Sequence, residues 1–378
     1  MTGRRVASID ALRGLVMLLM LVDHVRETVY LHAQVGDPVD VTTTPAGLFF
    51  TRSLSHICAP VFIALTGLGA WFHGATHTRR ETSVFLLERG AFLVLLEITV
   101  VGFAWTAEFP PSRFFLQVIW CIGICMIALA GLLHVSRGWQ LAVGLLLVAG
   151  HHLLDGIVLT GESPFFVPWA ILHQRDIIEL GAGVTARTSY PVLPWIGVIV
   201  LGHATGPWFA RIRAEGRTVR RLLTLGAALL VGFVALRWLN VYGDAPRFVS
   251  PDALTTLMSF LSLTKYPPSL LFLLATLGAG AVLLALFEAT EDRRITAAVA
   301  TFGAAPMFFY VLHLYVLKAG YLAAYALYGP NQGEYLSVPN LGVLWFLAAA
   351  LAVPLYFPTR GFARWKRRRR DLAWLRYF

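Results

Sequence analysis

Charge is what this chain has least of. Asp, Glu, Lys and Arg make up 14% of its 378 residues, where soluble domains carry about 25%. That shortage excludes an ordinary soluble enzyme, because most of the backbone must lie where charges are costly. Cysteine is scarce too: Cys58, Cys121 and Cys125 all fall inside apolar runs. They have no metal-type spacing, and Cys121 and Cys125 are one helical turn apart, so neither a disulfide framework nor a cysteine-bound zinc is expected. Low-complexity tracts and a convincing internal repeat are also missing, and with the repeat goes a main sign of a secondary transporter. The first apolar run is too long for a signal peptide and has no small-residue cleavage site after it, so no cleavable signal is expected.

What is present is apolar. Hydrophobic residues reach 57% and the mean hydropathy is +0.67. Apolar stretches fall at roughly 10–31, 54–74, 83–106, 114–133, 139–159, 189–209, 222–239, 267–288, 297–328 and 341–358. Most can cross about 30 Å of hydrocarbon. The expectation is an all-α polytopic membrane protein of about ten transmembrane helices, with eleven as the variant, forming a single integral domain over 1–378 with a basic tail at 359–378. The ninth stretch is over-long, which predicts a kink, a tilt or an interfacial turn.

The formal net charge of +10 reports topology. Arg4 and Arg5, Arg79 and Arg80, Arg137, the run from Arg211 to Arg221, Arg293 and Arg294, and the terminal Lys366-Arg367-Arg368-Arg369-Arg370 occupy every second loop. The positive-inside rule puts those loops and both termini in the cytoplasm. The basic tail follows directly on a membrane helix, so its expected partner is anionic lipid and not nucleic acid. The opposite loops, 32–53, 107–113, 160–188, 240–266 and 329–340, are longer and poor in cations. Long loops facing away from the cytoplasm point to recognition there.

The first helix carries the most chemistry. It begins Ser8-Ile9-Asp10-Ala11-Leu12-Arg13-Gly14-Leu15 and ends in Asp23-His24-Val25-Arg26. Arg13 and His24 share a helical face about 16 Å apart along the axis, with Asp10, Met17 and Met20 on or near it. Arg13 then lies near the cytoplasmic surface and His24 in the outer half of the membrane. A cytoplasmic donor with an anionic head and a long thin arm, the shape of a coenzyme A thioester, would span that distance. The residues leave a plainer reading open, with Asp10 and Arg13 as a helix-start pair and His24 as a buried, hydrogen-bonded side chain.

The segment Ser-Ile-Asp-Ala-Leu-Arg-Gly-Leu-Val-Met ending in Asp-His-Val-Arg, residues 8–26, resembles the opening helix of the heparan-alpha-glucosaminide N-acetyltransferase catalytic-domain family, most closely its bacterial branch. Arg, ten residues, His is also the spacing of the wider membrane acyltransferase-three superfamily. The stretches Thr43-Thr44-Pro45, Phe49-Phe50-Thr51-Arg52, His56-Ile57-Cys58-Ala59-Pro60-Val61-Phe62 and Gly150-His151-His152-Leu153-Leu154-Asp155 fit that branch. So do Tyr190-Pro191-Val192-Leu193-Pro194-Trp195-Ile196-Gly197, Thr264-Lys265-Tyr266-Pro267-Pro268-Ser269 and Phe308-Phe309-Tyr310-Val311-Leu312-His313, and the likeness runs over essentially the whole chain.

The resemblance implies a membrane acyltransferase, with acetyl-CoA as donor substrate and an extracytoplasmic sugar, amino sugar or glycan as acceptor. It implies His24 as the catalytic histidine and Arg13 as its cytoplasmic partner. In the lysosomal member the histidine sits farther along, in the loop after the first helix, which makes His32 the second candidate; His24 is favoured. Imidazole suits a base that takes the acceptor's proton, or a covalent acyl carrier.

A base needs an orienting partner, and Asp23 and Asp155 are the candidates. Asp23 lies about 100° away from His24 on the helix and is expected to meet Arg52 or His56. Arg13, Asp10 and Trp195 are the expected donor-binding set, Trp195 by stacking. Arg26, Arg52, His56, Lys265 and His151 are the expected acceptor-side set, the cations also able to hold an oxyanion. Asp37 and Asp40 suit turns or sugar hydroxyls, and His313 suits a satisfied core position. His24, His32 and His56 have no metal-ligand pattern, so no metal is expected. The expected location is a bacterial inner membrane. The oligomeric state stays open, a homodimer among the options, and a proton-coupled transporter is the alternative function.

Overall fold

The computed structural model describes residues 6–369 and 371–378. Arg4, Arg5 and Arg370, which enter the charge argument above, lie outside the described residues. The chain is mostly helical, and among the described residues five helical segments are long and apolar enough to cross a membrane: Ala46–Gly74, Thr218–Leu239, Leu270–Ala289, Pro306–Tyr328 and Leu341–Arg368. The other apolar stretches are shorter or more charged. Val118–Leu132 has 15 residues, Arg137–Gly150 has 14 and Leu193–Ala204 has 12. Ala7–Val29 has 23 residues and carries Asp10, Arg13, Asp23, Arg26 and Glu27. The over-long ninth stretch breaks at Ala305, where φ is −140° and ψ is 59°, and Pro306 starts the next helix. Proline suits that first position because its missing N–H would have had no helical partner there.

The expectation of an all-α chain meets one exception. Strands Arg113–Leu116 (β1), Ile177–Gly181 (β2) and Val184–Thr188 (β3) form a small sheet in the order β1-β3-β2. β2 and β3 are an antiparallel hairpin, and β1 runs parallel to β3. The hairpin turns through Gly181, Ala182 and Gly183, all at positive φ. Phe166, Ala170, Ile178 and Ala186 make a small apolar cluster at the sheet.

Backbone contacts divide the chain into two compact units. One comprises Ala59–Pro246 and Leu263–Val282. Its helix Arg79–Leu96 opens on a reciprocal capping box between Thr78 and Glu81. A π-turn, Glu97–Val101, carries that helix on toward Thr106. The turn sets the Glu97 carboxylate on the amide N–H groups of Ile119 and Trp120, at 2.9 and 3.0 Å. Those amides begin the helix Val118–Leu132, whose first N–H groups lack helical acceptors, so the buried Glu97 carboxyl oxygen caps it.

The other unit contains the N-terminal stretch to Cys58, Arg247–Ser262 and Leu283–Phe378. The helix Ala7–Val29 crosses Arg294–Ala304 at backbone contact. A Cβ on Gly14 would strike the carbonyl oxygen of Val299, and a Cβ on Gly303 would strike that of Asp10. Helices in lipid gain little from apolar burial, so close packing of small residues replaces it. Val39, Val41, Phe49 and Met258 form a small apolar core of their own. Met258 reaches it on the helix Ala253–Leu261, which Asp252 caps through the Thr255 amide. Asn340 caps Leu341–Arg368 in the same way through Val343, and that helix continues through Pro354 and Pro358 into the basic residues.

Candidate active site

In the unit that holds the N-terminus, the first helix places Asp23, His24 and Arg26 in its last two turns, all buried. His24 faces the helix Pro306–Tyr328. Its Nδ1 lies 2.7 Å from Nε2 of His313, and the rings stack with centroids 5.0 Å apart. The far nitrogen of His313, Nδ1, lies 2.8 Å from the carbonyl oxygen of Phe309. A carbonyl can only accept, so His313 Nδ1 carries a proton and its Nε2 carries the lone pair. His24 must then donate from Nδ1, which leaves Nε2 as its basic nitrogen. Tyr310 stands edge-on to both imidazoles, 5.7 Å from His24 and 5.6 Å from His313.

Asp23 points elsewhere, as its 100° offset requires. Its Oδ1 accepts from Arg26 Nε at 3.0 Å and its Oδ2 from Arg52 Nη1 at 2.6 Å. Arg26 Nη2 also reaches Glu27 at 2.9 Å. Arg26 is only 1% exposed, and its Nη1 is a buried donor with no hydrogen-bond partner among the described residues. A buried guanidinium N–H left over from two carboxylates is suited to an anionic or carbonyl oxygen. His56 is buried just after the helix Ala46–Ser55 that presents Arg52. At the other end of the first helix, Arg13 Nη1 lies 3.5 Å from Asp10 Oδ1. His32 occupies a short turn after the helix, exposed, with its ring against Tyr30.

The remaining expected residues belong to the other unit. Asp155 meets His152 Nδ1 at 2.8 Å and His173 Nε2 at 3.4 Å. His151 Nδ1 lies 3.4 Å from His173 Nε2, and its Nε2 lies 3.0 Å from the Pro268 carbonyl. Burial pushes the His173 imidazole below its ordinary value, against the pull of the Asp155 carboxylate. His152, Asp155 and His173 open onto a cavity of about 540 Å³ lined also by Arg175, Tyr242 and Asp244. Lys265 is buried, its ammonium 5.2 Å from the Tyr266 ring and 5.8 Å from the Tyr190 ring, a cation–π arrangement. Trp195 is fully buried, tilted against Tyr190 and at a right angle to Phe272.

Sequence reasoning missed His313 as the partner of His24, and His173 altogether. His173 stands in no motif, the stretch that holds His313 says nothing of its partner, and the partners lie 22 and 289 residues away. Only the pairing of His313 with an apolar, tyrosine-bearing helix gave a hint.

Membrane-length helices together with a buried histidine pair and buried arginine–carboxylate pairs define the class, an integral membrane protein with polar chemistry inside its helices. Residues 5–242 match the family described as heparan-alpha-glucosaminide N-acetyltransferase, catalytic, and the chain belongs to that family. It is a family of membrane acetyltransferases, and membership implies transferase activity. His24 and Asp155 fall inside the matched residues, whereas Lys265 and His313 lie beyond them. No curated protein matches the chain.

Proposed function

We propose that this chain is a transmembrane acetyltransferase of about ten spans, with both termini cytoplasmic. It would move the acetyl group of cytoplasmic acetyl-CoA to an amino sugar or other glycan on the outer side of a bacterial inner membrane. The observation that carries the site assignment is the hydrogen-bonded chain from the Phe309 carbonyl through His313 to His24. It fixes the tautomer of His24 and makes Nε2 the base, as an orienting group does in nucleophile–base pairs generally.

In the proposed reaction the acceptor amine or hydroxyl attacks the thioester carbonyl carbon. Its proton passes to His24 Nε2, the carbon–sulfur bond breaks, and coenzyme A leaves as thiolate and takes up that proton. As His24 becomes imidazolium, its Nδ1–H stays bonded to the His313 lone pair, which stabilises the charge. Arg26, held by Asp23 and Glu27, lies about 200° around the helix from His24, so it is assigned to the acceptor and not to the oxyanion at His24. Arg52 positions Asp23 from the second carboxylate oxygen. Arg13, with Asp10 beside it, is assigned to the phosphates of the donor at the cytoplasmic end of the same helix.

The test is thiol release from acetyl-CoA by purified protein with a panel of amino sugars. Turnover by the parent and binding without turnover by His24→Ala are expected. Turnover that survives in His24→Ala and disappears in His32→Ala would transfer the role to His32. A folded parent with no affinity for acyl-CoA would defeat the transferase reading and favour transport.

A further inference from the structure

One cluster lies outside the chemistry just described. Asp155, His151 and His173 each offer one donor atom, and these atoms all lie within 4.8 Å of one another. His173 Nε2 is the centre of the arrangement. It lies 3.4 Å from His151 Nδ1, 3.4 Å from Asp155 Oδ1 and 3.1 Å from the His151 carbonyl oxygen.

The proton count does not suit hydrogen bonding alone. His151 Nε2 faces the Pro268 carbonyl at 3.0 Å and must donate to it, so His151 Nδ1 is a lone pair. Asp155 and the carbonyl oxygen are acceptors as well. Three electron-pair donors thus converge on one ring nitrogen, whose single proton can serve one of them well. A cation among them would serve all the side chains at once.

The two distances from His173 Nε2 to the other donor atoms, 3.4 Å each, agree. Metal–nitrogen and metal–oxygen bonds of about 2.1 Å in a tetrahedron set neighbouring ligand atoms about 3.4 Å apart. The His151 Nε2–H to carbonyl bond is the outer hydrogen bond that metal-bound histidines usually make. Asp155 is held from its other oxygen by His152, whose Nε2 in turn accepts from the Leu270 amide at 3.0 Å. The Asp155 side chain is 51% exposed toward the cavity, so water has access to the fourth position.

We propose that His151, Asp155 and His173 bind one divalent first-row transition cation, zinc by the chemistry of the set, with a water from the adjoining cavity completing a tetrahedron. Two neutral imidazoles and a carboxylate are a zinc-type donor set, and the oxygen-seeking cations magnesium and calcium would be poor fits. The site departs from the metal-free expectation of the sequence because its ligands come from the ends of two separate helical segments without a recognised spacing. The inference does not depend on the acetyl-transfer reading.

The experiment uses full-length protein in detergent, freed of any affinity tag and of metal by chelation, titrated with Zn²⁺ and separately with Co²⁺. One equivalent of Zn²⁺ is expected, together with the visible absorption of four-coordinate Co²⁺ in a nitrogen–oxygen site. His173→Ala and Asp155→Asn, checked for a monodisperse elution profile, should each weaken Zn²⁺ binding at least tenfold, with His32→Ala unchanged. Failure of the folded, stripped parent to bind either ion overturns the proposal. So does binding that both ligand variants retain at parent affinity, or a Co²⁺ spectrum of six-coordinate, water-bound type. The spectrum of the parent decides the matter even if both variants fail to fold.

Discussion

His24 and His313 meet ring nitrogen to ring nitrogen, 2.7 Å apart and buried, with the Phe309 carbonyl behind the pair. In a hydrated site such a contact would exchange with water. Between two helices it can hold one tautomer, because the alternative sets the lone pair of His313 Nδ1 against those of the Phe309 carbonyl.

His24→Ala should cut acetyl transfer by about 10²- to 10⁴-fold, the range of a lost general base. Affinity for acetyl-CoA should stay within a few-fold of the parent. Calorimetric or tryptophan-quenching titration of the inactive variant measures the second quantity directly.

His313 acts through His24, so its loss should lower kcat with little change in KM. A glutamine there retains an oxygen that accepts from His24 Nδ1–H, whereas a phenylalanine does not. His313→Gln should therefore recover part of the activity that His313→Phe loses. Equal activity in the two variants would reduce His313 to packing.

Asp23 is the shared carboxylate of two buried arginines. Asp23→Ala removes a carboxylate from Arg52 and one of the two carboxylates on Arg26, and breaking a buried pair of this kind typically costs about 3–5 kcal/mol. A markedly lower thermal unfolding temperature in detergent is expected, larger than for Asp10→Ala, whose 3.5 Å pair with Arg13 is more exposed.

The crossing at Gly14 and Gly303 has no room for a Cβ on either side. Gly14→Ala should destabilise by about 1–3 kcal/mol through forced separation of the helices. Gly361→Ala, where a Cβ would meet nothing within 4 Å, is the control and should be neutral or slightly stabilising.

Asp252 caps the helix Ala253–Leu261, and hydrogen bonds from the Thr255 side chain and then its backbone hold the carboxyl below its ordinary value of 3.8. A depressed folded-state value means the capping contribution is complete above the unfolded value, about 3.9, and is lost as pH falls through the lower folded value. Amide exchange in 253–261, corrected for intrinsic rates, should accelerate on acidification below about pH 4. Asp252→Ala should show the faster exchange already at neutral pH.

The helices with pure apolar runs were legible without coordinates, since Thr218–Leu239 and Leu270–Ala289 lie almost where hydropathy puts them. The capping of Arg79–Leu96 by Thr78 and Glu81 is likewise a local pattern. The sheet was not legible. Its strands are four or five residues long, and β1 pairs with a segment 72 residues away. Asp23 with Arg52 could be anticipated, because the helical offset turns Asp23 away from His24 and toward a cation in a neighbouring segment.

By itself the sequence determined that this chain is a membrane protein and which family it belongs to. Both depend on features local along the chain, the scarcity of charge over helix-length runs and an ordered set of short segments. It also determined that the first helix carries the telling polar residues, because charges in apolar helices are costly enough to stand out. Only the tertiary structure decided which side chains those residues face. Histidine carries no signature of its partner, so the contact of His24 with His313 waited on helix packing. The same holds for His151, Asp155 and His173, whose donor atoms come close because two helix ends are folded together, a fact of three-dimensional closure that no spacing along the chain expresses.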